Sequence, residues 1–423
     1  MDKLYDVIII GSGVVGNAIA REMSRYNLKI GVLEKELDVC NETSARNSGV
    51  LHAGFNNKPG TLMAKFCVEG NQGFDQVAKE LGVPFKRCGK LVVGFSEEDK
   101  EKLIAMKEQG EKNGVKGLEI IGKDKIKEIE PNIDGEFAMW SKTTGILNPF
   151  LLTIALAENA AANGAEYYFG NEVIDIKRVD DIYNIKTKKD TYKTRWVVNA
   201  AGLYSDRVSK MLGIDDYTIH PCRGEYFILD EKVGSKLSLP AYPVPNPKEG
   251  GLGIHLTPTI DGNVFIGPSS EYIDERDDYS ATQKIMDLLI KDGGRIFPHI
   301  RREDFIRNFA GIRPKLASKE EGGYHDFVIE MRDKSPNTIN LVGIESPGLT
   351  SSTPIAKYVV SLLKQKEELT ENENFNPIRK PIVTFNDKSV EEKEALIKEN
   401  PDYGEVICRC QTITKAEILE AIN

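Results

Sequence analysis

The sequence predicts an α/β chain: a parallel sheet flanked by helices, with a second, antiparallel sheet inserted into it. Three observations carry this expectation. An apolar, β-branched run, Asp6-Val7-Ile8-Ile9-Ile10, opens directly into Gly11-Ser12-Gly13-Val14-Val15-Gly16 and then a helical pattern through Ala18, Ile19, Met23 and Tyr26. Two later apolar runs, at 195–202 and 339–343, again end in small-residue turns that lead into helices, so the chain returns to the same sheet. Between them, residues 221–268 alternate apolar and polar positions between Gly/Pro turns, which is the pattern of an antiparallel sheet.

The first crossover is the most informative stretch. A second strand, Lys29-Ile30-Gly31-Val32-Leu33, ends in Glu34 with Lys35 beside it. The G-x-G-x-x-G pattern gains meaning from lying between a strand and a helix. Gly11 permits the tight turn, Gly13 lets a pyrophosphate approach the backbone, and Gly16 lets helix and strand pack closely. Val14 and Val15 begin the helix, whose unpaired N–H groups and partial positive charge favour phosphates. Glu34, eighteen residues past Gly16, is placed to accept hydrogen bonds from an adenosine ribose. An acid there disfavours a 2′-phosphate, so FAD or NAD is expected and NADP is not. The first domain is therefore read as a Rossmann-type dinucleotide fold.

The rest follows in order. Residues 38–54 are polar and glycine-punctuated, without helical periodicity, and read as a structured loop over a ligand; Thr43, Ser44, Asn47 and Ser48 are its candidate cofactor contacts. Residues 62–81 read as a helix, 90–95 as a strand, 97–113 as a charged helix, and 124–129 as a short helix with Asp124 as N-cap. A long helix is expected over 150–163, then strands at 172–176, 183–187 and 191–196, the buried strand 195–202 with Ala201 and Gly202 in its turn, and a helix at 205–212. The inserted sheet is expected to hold strands 224–229, 251–257 and 263–267, followed by a helix at 281–289. Residues 305–310 and 339–343 resume the buried-strand character. Gly348, Leu349 and Thr350 precede a helix over 354–364, and residues 367–376 are charged and turn-rich.

Composition sets limits. With 423 residues, 40% hydrophobic and 29% charged, the chain is a globular protein of about two domains. Lys+Arg of 56 against Asp+Glu of 65 gives a net charge of -9, which argues against nucleic acid and means that an anionic substrate needs a locally basic pocket. No apolar run reaches the ~18 residues of a membrane helix, and the apolar start belongs to the nucleotide fold; contact with a membrane surface is left open. Six scattered cysteines, without a disulfide pattern, predict a reducing cytoplasm.

Five segments together carry a family likeness: the N-terminal fingerprint; Arg46-Asn47-Ser48-Gly49-Val50-Leu51-His52-Ala53-Gly54; Arg223-Gly224-Glu225-Tyr226-Phe227; Phe309-Ala310-Gly311-Ile312-Arg313-Pro314; and Glu345-Ser346-Pro347-Gly348-Leu349-Thr350. Over residues 4–365 the chain resembles FAD-dependent oxidoreductases of the D-amino-acid-oxidase superfamily. Within it, the likeness is to L-2-hydroxyglutarate dehydrogenases/oxidases and to bacterial glycerol-3-phosphate dehydrogenases/oxidases. The resemblance implies FAD as cofactor, a small anionic substrate, and an electron-accepting partner protein as one outlet. It implies that His52 lies beside the flavin, where an imidazole suits the role of base for a substrate hydroxyl; in some relatives this position anchors the flavin covalently. Arg313 is implied as the clamp for the substrate's acidic group. Gly348, Leu349 and Thr350 would meet the negative charge at flavin N1/O2. Gly311 joins the cofactor contacts, and Val173 resembles the residue whose backbone grips the adenine.

His255, in Gly253-Ile254-His255-Leu256-Thr257, either faces the substrate or packs within the sheet. The stretch resembles the 2-hydroxyglutarate enzymes. Some glycerol-3-phosphate relatives carry a lysine near here, where this chain has Leu252, although Lys248 is close. Arg223 to Phe227 reads as a structural strand bordering the pocket.

The tail resembles the start of a small [2Fe–2S] module, through Cys408-Arg409-Cys410 and a helix over 416–422, but a cluster needs four thiolates and no second pair follows. No metal ligand is assigned. The expected division is 1–85 with 145–220 and 305–366 as a discontinuous FAD-binding domain, 86–144 with 221–304 as substrate domain, 367–400 as linker, and 401–423 as the cysteine-containing tail. The expected function is FAD-dependent dehydrogenation of a secondary alcohol on a small anionic substrate, an L-2-hydroxyglutarate-like 2-hydroxy acid first and glycerol 3-phosphate second. An amine substrate is a third reading, and a non-catalytic FAD-binding subunit of a redox complex a fourth.

Overall fold

Strand Leu4–Ile10 is the axis of an eight-stranded sheet, with Val7, Ile8 and Ile9 buried between helices on both faces. It runs parallel to Ile30–Leu33 on one side and to Thr191–Asn199 on the other. Glu166–Tyr168 extends the parallel set beyond Ile30–Leu33. Thr191–Asn199 is long enough to serve two partners: its first half pairs antiparallel with Ile182–Thr187, and its second half parallel with Ser335–Val342. Helices Val14–Met23, Leu62–Leu81, Pro149–Ala162 and Gly348–Leu363 cover one face and share its main core. The computed structural model describes residues 3–245 and 253–422.

A nine-stranded sheet forms the second layer. It is antiparallel except where Ala241–Pro243 runs parallel to Lys90–Gly94. Its backbone is the long pair His220–Leu229 and Phe305–Lys315. The run from Phe305, expected to resume the parallel sheet, instead belongs here. Only its second half, from Ala310, is mostly buried, while Ile306, Arg307 and Asn308 are exposed, and a short apolar run looks the same in either sheet, so its residues do not reveal its partner. One face of this sheet, with Leu91, Val93, Phe227, Leu229, Ala241 and Leu256, packs into a separate core. The other, with Val92 and Tyr242, meets Ala53, Phe55 and Val68 of the nucleotide-binding part.

Several element boundaries are corrected. The helix expected over 354–364 begins at Gly348, six residues earlier. Proline normally opens a helix, yet Pro354 lies inside this one. Its missing N–H frees the carbonyl of Thr350, and Gly70 of the neighbouring helix approaches that oxygen so closely that a Cβ there would overlap it. Gly122 caps Lys123–Ile129, with Asp124 in the first turn. The expected strand 251–257 is His255–Pro258; its first residues, with Lys248 and Leu252, lie outside those described.

Residues 367–377 lie along the first unit, where Glu367 accepts from Trp196 Nε1 at 2.9 Å and Asn372 donates to Ser24 O at 3.2 Å. The chain divides at Pro377. In the second unit the expected linker holds helix Val390–Glu399, started by a capping box of Ser389 and Glu392 that the surrounding charge hid. A short hairpin, Val406–Cys408 with Ile413–Thr414, and helix Lys415–Ile422 complete it around Phe385, Tyr403 and Ala416.

Candidate cofactor and substrate site

The end of the first strand turns at Gly11, whose φ of +106° suits glycine; a Cβ there would stand 2.6 Å from Ala200 O. Gly16 lies against the carbonyl of Gly11 and admits no side chain. Gly13 differs: a Cβ there would meet only Ser44 Oγ, at 3.0 Å. The three glycines thus divide between two that pack the turn and one that leaves its backbone open. Gly13 also caps helix Val14–Met23 without a side-chain hydrogen bond, while Val14 N donates to Ser44 Oγ at 2.9 Å.

This helix start opens into a cavity of about 470 Å³, within the usual range for a ligand site. Val14, Val15, Glu34, Lys35, Val173, Ala201 and Gly202 line one end. Glu34 accepts from Ser12 N at 2.7 Å and Glu36 N at 2.9 Å; burial raises its pKa, and these two N–H groups oppose the rise. Burial disfavours the Lys35 charge, but Glu36 and Glu42 outweigh it and hold the ammonium.

The loop after the second strand shapes the middle. Thr43 Oγ1 donates to Ile312 O at 2.8 Å, tying the loop to strand Phe305–Lys315. Asn47 donates to Ser44 O at 2.8 Å and accepts from Gly49 N at 2.9 Å, which folds the loop on itself. Gly311 admits this loop because a Cβ would collide with Arg46 O. Ser48, His52, Gly348 and Leu349 reach the cavity wall.

At the far end Arg313 projects from the long antiparallel pair. Its Nη2 donates to Ser269 O at 2.8 Å, and its Nη1 lies 3.4 Å from Cys222 Sγ and 3.5 Å from Ser270 Oγ. Among the described residues it forms no ion pair. Burial works against its charge, and Cys222, Tyr226 and Glu345 more than compensate.

Residues 6–362 match the family described as FAD dependent oxidoreductase. The chain is 41% identical over 423 residues, 99% of its length and 86% of the relative's, to a glycerol 3-phosphate dehydrogenase of Caloramator mitchellensis. It is 30% identical over 416 residues, 86% of its length and 90% of the relative's, to the mitochondrial L-2-hydroxyglutarate dehydrogenase of Homo sapiens. The FAD-bound L-alpha-glycerophosphate oxidase of Mycoplasma pneumoniae superposes with a TM-score of 0.83 at 29% identity, covering 90% of this chain and all of that one. The chain belongs to the FAD-dependent oxidoreductase family.

FAD is thus its cofactor, and CH–OH groups are what it oxidises. The observed donor set fits: an open Gly13 backbone at a helix start, a carboxylate on the cavity wall in Glu34, and a cavity continuous from Val173 to Arg313. When bound, FAD supplies the two-electron acceptor; the chain must hold the anion and handle the proton. No helix among the described residues is long and apolar enough to cross a membrane. Nor, among them, is any group of three or more His, Cys, Asp or Glu placed to hold a metal ion; Cys408 and Cys410 have Sγ atoms 3.1 Å apart.

Three expected contacts of this oxidoreductase lie off the cavity wall. Gly16 serves the turn. Thr350 is buried behind the wall, where its Oγ1 accepts from His52 N at 3.0 Å and lies 3.4 Å from Val50 O. His255 stacks on Tyr242, with centroids 3.6 Å apart and planes 9° from parallel, and its Nδ1 lies 3.0 Å from Gly253 O.

Burial lowers the pKa of the His52 imidazole to about 3, and the charge of Lys90 adds to the effect; both favour its neutral form. Lys90 and Tyr242 are residues that the sequence reading passed over. Lys90 was visible only as a lysine heading an apolar strand, and nothing local says which face of the sheet it occupies.

Proposed function

We propose that this oxidoreductase dehydrogenates glycerol 3-phosphate at its secondary alcohol, giving dihydroxyacetone phosphate. The observation that carries this reading is the 41% identity to a glycerol 3-phosphate dehydrogenase across 99% of the chain. It reverses the order expected from the sequence, which put a 2-hydroxy acid first. In the proposed arrangement Arg313 holds the phosphate with the donors it does not spend on Ser269. His52 accepts the hydroxyl proton as the carbonyl forms, and its neutral state suits that role. Glu34, Gly13, Ser44 and Val173 hold the nucleotide. Gly348 and Leu349, at the start of a long helix, stabilise negative charge on the ring. The parallel sheet serves the cofactor, and the nine-stranded sheet serves the substrate, with strand Phe305–Lys315 bringing Arg313 between them.

L-2-hydroxyglutarate is the second reading. It is favoured by relatives 30–32% identical that carry that name. Both substrates present an anion beside a secondary alcohol, so one arginine serves either. FAD-loaded protein titrated anaerobically with sn-glycerol 3-phosphate and with L-2-hydroxyglutarate separates them. Bleaching of the flavin band near ~450 nm by the phosphate alone is expected. Bleaching by the hydroxy acid alone would overturn the proposal in favour of the second reading, and bleaching by neither would overturn both.

A further inference from the structure

The chain between strand Glu271–Tyr272 and helix Gln283–Gly293 has no regular structure, and its two ends are drawn together on one side chain. Arg223, buried on strand His220–Leu229, donates to Glu271 Oε2 at 2.7 Å at the start of the segment. It donates to Ser280 Oγ at 2.5 Å at the end and pairs there with Asp278 as well. Thr282 N donates to Glu225, on the same strand, at 2.5 Å. Residues 273–280 thus form a compact loop with a fixed base, a construction that frequently carries function.

The far side of this loop leaves the sheet that bears it and reaches the nucleotide-binding part. Arg276 sets both ends of its fork on Asp206, Nη1 on Oδ1 at 2.6 Å and Nη2 on Oδ2 at 2.7 Å, and Nη1 also donates to Leu203 O at 2.6 Å. A two-pronged pair of this kind is among the stronger hydrogen-bond arrangements. Burial works against the charge of Asp206, and Arg276 outweighs it, so the carboxyl lies below its usual range. Tyr279 grips a different piece. Its hydroxyl donates to Glu42, and the guanidinium of Arg46 lies 4.1 Å from its ring centroid. Burial and then the Glu42 carboxylate push the phenol up, so it stays a donor.

The two gripped pieces flank the phosphate turn. Ser44, between Glu42 and Arg46, is what a Cβ on Gly13 would meet; Ala200, just ahead of Leu203, is what a Cβ on Gly11 would meet. Glu42, Arg46 and Leu203 line the cavity, and Arg276 and Tyr279 stand behind them.

We propose that residues 273–280 are a latch on the cofactor: by joining the Glu42–Arg46 loop to the Leu203 turn, Arg276 and Tyr279 hold the two sides of the dinucleotide site together, and FAD leaves when this loop lifts. Arg276 and Tyr279 are positioning residues that act through Leu203, Asp206 and Glu42. A loop held by a few side chains, without a helix or strand ladder of its own, opens at less cost than the sheets it spans. The latch also joins the two halves of the site, because its anchor Arg223 lies opposite Ile312, the neighbour of Arg313. The inference does not depend on which alcohol is oxidised.

The test follows the cofactor and the loop separately. Protein loaded with FAD labelled in the adenine is chased with excess unlabelled FAD, and the label retained is followed by gel filtration. Arg276→Met and Tyr279→Phe should each release the label about tenfold faster or more, with Arg276→Lys between Arg276→Met and the wild type. Hydrogen exchange in the wild type gives a readout that a merely structural loop would not move. Amides of residues 273–282 should exchange faster once FAD is removed, and by a larger factor than those of helix Gln283–Gly293, because a latch closed over the cofactor is stabilised by it. Unchanged release in either Arg276→Met or Tyr279→Phe would overturn the inference. So would exchange at 273–282 that ignores FAD, or label that stays with the acid-precipitated wild-type chain, since a covalent bond would then do the holding. The exchange measurement needs no variant, so it decides even if Arg276→Met fails to fold.

Discussion

The backbone N–H of His52 donates to Oγ1 of Thr350 at 3.0 Å, across 298 residues of sequence. The hydroxyl is buried, and so is the short strand Val50–Leu51 that leads to His52. Thr350 thus fixes the backbone of His52 from behind while Gly348 and Leu349 of the same helix face the cavity. Replacing Thr350 by valine keeps the shape and orphans the N–H, which costs about 1–3 kcal/mol when the group is buried. Thr350→Val is expected to lower stability by that amount in urea unfolding and to slow flavin reduction, whereas Thr350→Ser should do neither to the same degree. Equal stability of the valine variant and the wild type would mean that the contact carries nothing.

Arg313 is aimed by a glycine as much as by its own bonds. A Cβ on Gly224 would stand 2.6 Å from Arg313 Nη2 and 2.8 Å from Pro268 Cβ. Gly224→Ala should therefore swing the guanidinium from its bond to Ser269 O without altering any charge. The expected effect is a KM raised about tenfold for the anionic substrate, with kcat changed less. Arg313→Ala should raise KM about a hundredfold or more, since a buried charge pair is lost. Steady-state kinetics on both variants checks the ordering; a normal KM in Arg313→Ala would remove it as anion clamp.

Local signals were legible, and relations across the sheet were not. Gly11, Gly13, Gly16 and Glu34 form a pattern whose meaning depends on a strand and helix within thirty residues, so the nucleotide end could be read directly. His52, Arg313, Gly348 and Leu349 came from motif likeness, and the structure brings all four to one cavity. Thr350 was placed on the cavity side because the helix was started at the proline, six residues late. His255 could be placed on a strand but not on its neighbour, because stacking on Tyr242 depends on the register between two short strands. Lys90 failed for the same reason: inner and outer positions alternate, and its side was set by Ala241–Pro243 pairing in parallel with Lys90–Gly94.

The three glycines of the first turn should separate in a binding experiment. Gly11→Ala combines a left-handed φ with a clash against Ala200 O, and Gly16→Ala strikes the Gly11 carbonyl, so both should destabilise the fold itself. Gly13→Ala meets only a serine hydroxyl and should leave the protein folded. Its methyl group would instead intrude where phosphate meets backbone, so FAD retention should fall at least tenfold. Circular dichroism with flavin content after gel filtration distinguishes the two kinds of loss. Full retention of FAD by Gly13→Ala would place the pyrophosphate elsewhere.

Lys90 also makes a claim about stability. Its folded pKa of about 7 lies below the ordinary 10.5, so between those values the unfolded chain holds a proton that the folded chain has released. Stability from this group therefore rises as pH climbs from 7 toward 10.5, by at most about 1.4 kcal/mol per unit. Below pH 7 both states are protonated and the full cost of the buried ammonium remains. Lys90→Met removes that cost, so the variant should be the more stable protein at pH 7, and its advantage should shrink steadily on the way to pH 10. The comparison must be between the two proteins, because the buried thiols Cys40, Cys67 and Cys88, all pushed up, lower stability above about pH 9 in both. Urea midpoints at pH 7, 8.5 and 10 for the wild type and Lys90→Met measure it. A constant difference across that range would show that the ammonium is not what burial has made expensive.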